Sequence, residues 1–177
     1  MKKSRYLFPV LFLLMVMLAA GCSGGSGGGQ APVPGKTAPD FQLKSLEGET
    51  ISIGEQRGRP VLLNFWATWS GPCRHEMPFL QEVFEDGEWQ KRGLVILTVN
   101  LGEAAPSVRQ FMEAYGLSFT VLLDKEGKVG ALYNTAAIPT TFFIDNGGII
   151  RGMQRGAFVE RPDIDRFLLN SMMKAES

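Results

Sequence analysis

The sequence predicts an α/β fold, namely a three-layer sandwich with a mixed central sheet and a β-hairpin added at the N-terminal end. Short apolar runs alternate with segments in which apolar residues recur at helical spacing, as strands alternating with helices do. The last two runs flank a tight turn, which adds antiparallel strands to an otherwise parallel sheet. No internal repeat or second domain is visible in the 177 residues.

The strands are predicted from apolar runs that lie between turn signals. The run 61–66 is apolar except for Asn64, as expected of a central strand that is covered on both faces. Asn146-Gly147-Gly148 forms the turn between the last two strands, because Asn and Gly tolerate positive φ. In chain order the predicted strands are 41–43, 50–53, 61–66, 94–99, 120–123, 141–144 and 149–153.

Three amphipathic helices are predicted, each from apolar residues that share one helical face. The first follows residue 70, the second precedes Gly116, and the third closes the chain. The residues that mark the three faces are Met77, Leu80, Val83 and Phe84, then Val108, Phe111, Met112 and Tyr115, then Ile164, Phe167, Leu168 and Met172.

Composition is that of an ordinary globular chain, with 45% hydrophobic and 20% charged residues. Three of the 18 basic residues, Lys2, Lys3 and Arg5, lie in the leading segment, which leaves 15 basic against 18 acidic residues in the rest. A mildly acidic body lacks the electrostatic footprint of a nucleic-acid-binding protein, so no nucleic acid partner is expected.

The first 21 residues predict an export signal. Lys2, Lys3 and Arg5 precede the apolar stretch 7–18, and small residues follow it. This stretch is shorter than the roughly 20 residues that a membrane-spanning helix needs. We therefore expect residues 1–21 to be a signal peptide and the protein to be extracytoplasmic.

Cys22 is a predicted lipid-attachment site. Ala19-Ala20-Gly21-Cys22 resembles a bacterial lipobox, although Leu18 stands one position earlier than the usual leucine. Residues 23–35 are rich in Gly, Ser and Pro, so residues 22–35 are predicted to hold a domain at residues 36–174 to the cell membrane by a tether of roughly 20 Å reach. Ordinary secretion or a free periplasmic location is the alternative. If Cys22 carries lipid, Cys73 is the one free thiol of the mature protein.

The segment from Asn64 to Cys73 runs off a strand into a helix and is the candidate reactive site. A helix N-terminus carries partial positive charge, which favours the thiolate of a cysteine placed there. Two cysteines two residues apart would allow attack by the first and release by the second, but Ser70 occupies the first position. His75, five positions after Ser70, points about 140° away on a helix, which argues against a Ser-His hydrolase. No His or Cys cluster has metal-ligand spacing, so neither metal nor cofactor is expected.

Residues 65–73 resemble the Trp-Cys-x-x-Cys segment of the thioredoxin superfamily, and Arg74-His-Glu-Met-Pro78 resembles its membrane-anchored ResA/TlpA-like group. Segments 99–103, 111–116 and 138–143 extend the resemblance over nearly all of 36–174. It implies a thioredoxin-like fold and extracytoplasmic thiol-disulfide oxidoreductase activity. The implied roles are cytochrome c maturation or related envelope redox pathways. The implied partners are protein thiols or disulfides, apocytochrome c among them, and a membrane-bound thiol reductant.

Carried over residue by residue, the resemblance makes Cys73 the second, resolving cysteine and puts Ser70 in the place of the nucleophile. Glu103 matches an acid that assists proton movement. Pro139 matches a cis-proline that frees the backbone before it for strand-like hydrogen bonds to an extended substrate. Trp66 and Trp69 flank the motif and are expected to wall the site, with packing as an equal explanation. The expected substrate-binding residues are Trp69, Pro72, Ile138 and Pro139.

Each of these assignments has a structural alternative that the sequence leaves open. Ser70 is a good helix N-cap, Cys73 is small enough to be an inert core residue, and Glu103 could serve a helix N-terminus. Two functions follow: an oxidoreductase that works through Cys73 alone, which the family favours, and a non-catalytic peptide-binding or partner-binding module. A peroxidase is disfavoured, because the Pro-x-x-x-Thr-x-x-Cys pattern of peroxiredoxins is absent.

Overall fold

The computed structural model describes residues 31–176. The strands are β1 (Gln42–Ser45), β2 (Thr50–Ser52), β3 (Val61–Trp66), β4 (Val95–Leu101), β5 (Thr120–Asp124), β6 (Thr140–Ile144) and β7 (Ile150–Arg155). The helices are α1 (Gly71–Glu85), α2 (Gly87–Lys91), α3 (Ala105–Tyr115), α4 (Lys128–Leu132) and α5 (Arg161–Glu176).

The strands form one mixed sheet in the order β2-β1-β5-β4-β3-β6-β7. β3, β4 and β5 are parallel, the β1–β2 hairpin adds antiparallel strands on one side, and β6 and β7 add them on the other. The predicted mixed sheet with an N-terminal hairpin is therefore confirmed. Every residue of β3 is buried, because this strand lies between neighbours and under helices on both faces.

Two apolar clusters pack on the two faces of the sheet and make the three layers. β3 contributes to both, since successive side chains of a strand point to opposite faces. Leu62 lies in the cluster that includes residues of α1, α3 and α5. Leu63 and Phe65 lie in the other cluster, with Tyr133 after α4. Cys73 belongs to the first cluster, so the reactive-site helix is packed directly onto the sheet.

α2 and α4 have no counterpart among the predicted helices. Each has five residues, too few for apolar periodicity to reveal a helix. Asp86 caps α2 by accepting hydrogen bonds from the backbone N–H of Glu88 at 2.8 Å and of Trp89 at 3.3 Å. α4 begins after Gly127, whose φ of 67° few other residues adopt.

Residues 31–35, which the sequence assigned to the tether, pack against the domain. Pro32 is buried, the Gly35 N–H donates to the Ile150 carbonyl at 2.8 Å, and the Ile150 N–H donates to the Lys36 carbonyl at 2.9 Å. The predicted signal peptide and Cys22 lie outside the described residues. Among the helices of residues 31–176, none is long and apolar enough to cross a membrane.

We expect Leu62→Ala to lower the free energy of unfolding by about 2 to 5 kcal/mol, because it opens a cavity between β3 and the helices. Urea unfolding of the protein measures this change. Leu132→Ala is the control, since Leu132 is 40% exposed at the end of α4 and its truncation should cost less than about 1 kcal/mol. Equal losses in the two variants would contradict the packing described above.

Candidate functional site

Three segments meet at one edge of the sheet, at the carboxyl ends of its parallel strands. Trp66, the last residue of β3, lies opposite Asn100 near the end of β4, and Phe65 lies opposite Thr140 at the start of β6. The loop 67–70 after β3, the segment 102–104 after β4 and the Ile138-Pro139 segment before β6 therefore share this edge. Ligands of open α/β sheets bind at this kind of edge.

Ser70 is the N-cap of α1. Its backbone is extended, with φ −77° and ψ 112°, and its hydroxyl oxygen accepts a hydrogen bond from the Cys73 N–H at 3.3 Å. Pro72 lies in the first turn, where proline is favoured because no donor is lost there. Ser70 is buried, whereas Pro72 is exposed. The serine thus performs the capping role that the sequence left open as an alternative.

Cys73 has no exposed surface. Burial raises the pKa of its thiol, and this effect outweighs the hydrogen bonds from the Ser70 side chain and the Ala67 backbone, which lower the pKa. Nearby Glu76 also raises it. Desolvation of the thiolate thus outweighs the effect of the helix N-terminus, which favours the alternative of an inert core cysteine that the sequence left open.

Glu76 is a buried acid that the sequence analysis missed. One carboxylate oxygen accepts from the Asn64 side-chain amide at 2.8 Å, and the other accepts from the Phe158 N–H at 3.0 Å. Burial raises the pKa of Glu76 to about 7, although both hydrogen bonds lower it. The Asn64 amide also donates to the Thr141 hydroxyl at 2.9 Å. The Glu76 carboxyl thus links α1 to β3 and to the segment before α5, and Asn64 extends this network to β6. Asn64, the one polar residue of an apolar strand, was the signal that a buried polar partner was needed.

Glu103 holds the loop before α1. One carboxylate oxygen accepts from the Thr68 N–H and from the Asn100 amide, both at 2.7 Å, and the other accepts from the Thr68 hydroxyl. Among the described residues, no hydrogen bond joins Glu103 to Ser70 or Cys73. The contacts of Glu103 are those of a loop anchor, and its role in proton movement stays a prediction.

The expected cis bond is present between Ile138 and Pro139. Pro139 is buried, and its carbonyl accepts from the Gly156 N–H at 2.9 Å. Ile138 is half-buried and packs against both apolar clusters.

The two tryptophans of the motif have different environments. Trp69 is 69% exposed and offers an apolar surface to a ligand. Trp66 is fully buried, with its ring centre 5.2 Å from that of Phe111. Of the two roles that the sequence left open for Trp66, the structure shows packing, because its side chain points into the core.

His75 is exposed, as expected of a surface helix residue. Its Nε2 lies 3.2 Å from the Val159 carbonyl oxygen, and its ring packs edge-on against Phe79. Within residues 31–176, no group of three His, Cys, Asp or Glu side chains is placed to hold a metal ion.

Comparisons with known proteins agree with this geometry. The AhpC/TSA family matches residues 34–153. The thiol-disulfide oxidoreductase ResA of Geobacillus kaustophilus (strain HTA426) is 41% identical over 134 residues, which cover 76% of this chain and 75% of ResA. The chain belongs to the thioredoxin-like AhpC/TSA family, among relatives of the ResA type.

Two further proteins resemble this ResA-type chain, one in sequence and one in structure. The thioredoxin-like protein YneN of Bacillus subtilis (strain 168) is 41% identical over 130 residues, covering 72% of this chain and 74% of YneN. A putative thiol:disulfide interchange protein DsbE from Chlorobium tepidum superposes with a TM-score of 0.73 at 27% identity, covering 80% of this chain and 99% of that one. The thioredoxin-like fold expected from the sequence is thus confirmed.

Removing the Ser70 cap should destabilise the ResA-type chain. Ser70→Ala leaves the Cys73 N–H without its acceptor and should cost about 1 kcal/mol in urea unfolding, whereas Ser70→Gly should cost only a few tenths. The same loss should raise the pKa of Cys73 further, which thiolate absorbance measures. An unchanged stability in Ser70→Ala would contradict the capping role.

Glu76 should make the protein less stable as the pH rises. Its pKa is about 7 in the folded protein against an ordinary value of 4.5, so folding takes up a proton between these values. The stabilisation is fully present below pH 4.5 and is lost as the pH rises through 7. From about pH 5 to about pH 8, the free energy of unfolding should fall by up to about 3 kcal/mol more in the wild type than in Glu76→Gln.

Urea unfolding at both pH values measures the slope. Glu82→Gln is the matched control, because Glu82 is an exposed acid on the same helix and its replacement should keep the wild-type slope. If Glu76→Gln kept the wild-type slope as well, Glu76 would not be the group that takes up the proton.

Proposed function

We propose that this chain is an extracytoplasmic, lipid-anchored member of the thiol-disulfide oxidoreductase family that binds extended protein segments and exchanges thiols through Cys73 alone. The observation that carries the proposal is the placing of one cysteine in the first turn of α1, at the sheet edge where Ile138-Pro139 also lies. The substrates are protein disulfides, those of apocytochrome c among them. A membrane-bound thiol supplies the electrons. The relatives named ResA support the reaction class.

The exchange with one cysteine needs two external thiols. The Cys73 thiolate attacks one sulfur of a substrate disulfide, the S–S bond breaks, and the second substrate sulfur leaves as a thiolate that takes a proton from water. A reductant thiolate then attacks the Cys73 sulfur and releases the first substrate sulfur. The second reductant thiolate attacks the reductant sulfur, which forms the reductant disulfide and frees Cys73. Two electrons pass from the reductant to the substrate.

The surface beside Ser70 fits an extended chain. Within residues 31–176, no hydrogen bond uses the backbone N–H or carbonyl of Ile138, so both remain free to pair with a peptide as an added strand would. Trp69 and Pro72 are exposed in the loop and first helical turn that share this sheet edge, and they offer apolar surface to a peptide. Binding through backbone groups tolerates many sequences, which suits a protein that meets several substrates.

A second candidate, a non-catalytic peptide-binding module, is favoured by the burial of Cys73. A thiol with no exposed surface and a raised pKa is a poor nucleophile at neutral pH. Ser70 offers no sulfur to a substrate, and its hydroxyl is engaged in the cap. In this case the sheet edge at Ile138-Pro139 binds substrates or redox partners without reducing them.

The proposed location rests on the N-terminal sequence. A basic start, an apolar stretch at 7–18 and small residues before Cys22 support export and lipidation. The small residues and glycines of 23–30 support a tether between lipid and domain.

Ser70→Cys tests whether the site is otherwise competent. It restores two thiols two residues apart, so reduction of a model protein disulfide should rise by more than roughly tenfold, while the unaltered protein depends on added thiol. Ser70→Cys combined with Cys73→Ser is the matched control, because it carries one thiol in the other position. Insulin precipitation measures turnover, and stopping the reaction with acid traps mixed disulfides.

The outcomes separate the two candidates. A mixed disulfide on Cys73 of the unaltered protein supports exchange through one cysteine. Peptide binding without any mixed disulfide supports the binding module instead. Catalytic turnover by the unaltered protein with no added thiol would contradict both, and silence of Ser70→Cys would show that the edge lacks the geometry for exchange.

A further inference from the structure

The end of the sheet opposite the candidate site carries four exposed basic residues, Lys36, Arg57, Arg59 and Arg92, which we name the tether-side cluster. They surround the β6–β7 turn at residues 145–149. The Arg57 guanidinium donates to the Gly147 carbonyl, and the Lys36 carbonyl accepts from the Ile150 N–H. Arg59 and Arg92 line two neighbouring cavities that share Asp145.

The tether-side cluster has little acid to neutralise it. Among residues 31–176, none of its four side chains forms an ion pair with a carboxylate. Asp145 is already paired with Arg151, at 2.6 Å between Oδ2 and Nε. Asp40 and Glu55 lie near Arg57, and each accepts a backbone hydrogen bond. Asp165, which lines a groove together with Arg92, is paired with Arg161 at 3.1 Å. A local excess of positive charge on a chain whose body has more acidic than basic residues indicates an anionic partner.

An apolar groove on α5 adjoins the tether-side cluster. Arg92 and Met172 line both this groove and the cavity beside the β6–β7 turn. Leu169 and Met173, which are 45% and 61% exposed, form its outer wall. Basic residues beside exposed apolar ones are typical of surfaces that lie in a membrane interface, where charge meets headgroups and apolar groups enter the acyl boundary.

The described chain begins at this same end. Gly35 donates to the Ile150 carbonyl beside the β6–β7 turn, and the 30 residues that precede residue 31 contain the predicted lipid site Cys22. A bilayer that holds the N-terminal segment is therefore nearer to the tether-side cluster than to the candidate site. Because residues 31–35 pack on the domain, the eight residues 23–30 form the remaining tether, and its reach of roughly 15 Å allows this end of the domain to touch the headgroups.

We propose that the tether-side cluster and the α5 groove dock onto an anionic phospholipid surface, an inference that rests on the membrane anchor of the proposed function. Docking fixes the orientation of the domain relative to the bilayer. The six residues of β3 span about 20 Å between this end and the candidate site, so Ser70 and Trp69 face away from the bilayer. Substrates then approach the site from the aqueous side without competing with lipid.

Arginine footprinting of the full protein, recovered from membranes and reconstituted into vesicles, tests this docking. The vesicles contain either phosphatidylglycerol or phosphatidylcholine alone, and a neutral arginine-modifying reagent is followed by mass spectrometry. We expect modification of Arg57, Arg59 and Arg92 to be about tenfold slower on phosphatidylglycerol, and high salt to remove the difference. Arg74 and Arg155 are the internal controls, since they are exposed near the candidate site and should react equally on both.

A charge variant keeps the test falsifiable. Acylation of Lys36 by a neutral lysine reagent measures the docking of such a variant. The triple variant Arg57→Gln, Arg59→Gln, Arg92→Gln should be acylated at the same rate on phosphatidylglycerol as on phosphatidylcholine. The control variant Arg74→Gln, Arg155→Gln should keep the slower rate on phosphatidylglycerol. Equal footprints on both lipids, while the protein floats with both vesicles, would overturn the docking and leave the anchor standing. If the protein recovered from cells carries no lipid on Cys22 and does not float with phosphatidylcholine vesicles, the anchor is refuted. The footprint on phosphatidylglycerol vesicles then decides the docking alone.

Discussion

The hydrogen bond from the Cys73 N–H to the Ser70 hydroxyl connects the sheet to the helix on which the site is built. β3 is buried on both faces and ends at Trp66, so the chain has four residues in which to leave the core and begin α1. Thr68, within this loop, is held by Glu103, and the helix beyond it is held by Glu76. Ser70, Glu103 and Glu76 thus all act on the short stretch between β3 and α1. The position of the Cys73 thiol depends on these three contacts.

Ser70 fits this arrangement because a hydroxyl caps a helix well. A helix begins with unpaired N–H groups, and a side-chain oxygen two or three residues earlier satisfies one of them. The serine therefore supports the start of α1 but offers no thiol at this position. Family membership, which the comparisons establish, and catalytic competence, which depends on Ser70 and Cys73, are separate properties of this chain.

Much of the fold could be predicted from the sequence because apolar periodicity reports burial directly. β3 was predicted at its observed bounds, since a short apolar run between turn signals is typical of a buried strand. α2 and α4 were missed, because short helices depend on caps such as Asp86 rather than on an apolar face. At the site, motif spacing placed Cys73 and Pro139 at one edge. Spacing carries no information about desolvation, so the direction of the Cys73 pKa and the buried position of Glu76 needed the packed structure.

Cys73 is buried, and no second thiol lies beside it among residues 31–176. A protein with two nearby cysteines alternates between oxidised and reduced forms, and its binding surface changes with the ambient redox potential. With Cys73 alone, no internal disulfide can form among residues 31–176, so no internal disulfide alters the surface around Trp69 when the medium becomes oxidising or reducing. Its affinity for a partner is thereby uncoupled from the ambient redox potential, as far as an internal disulfide would couple the two.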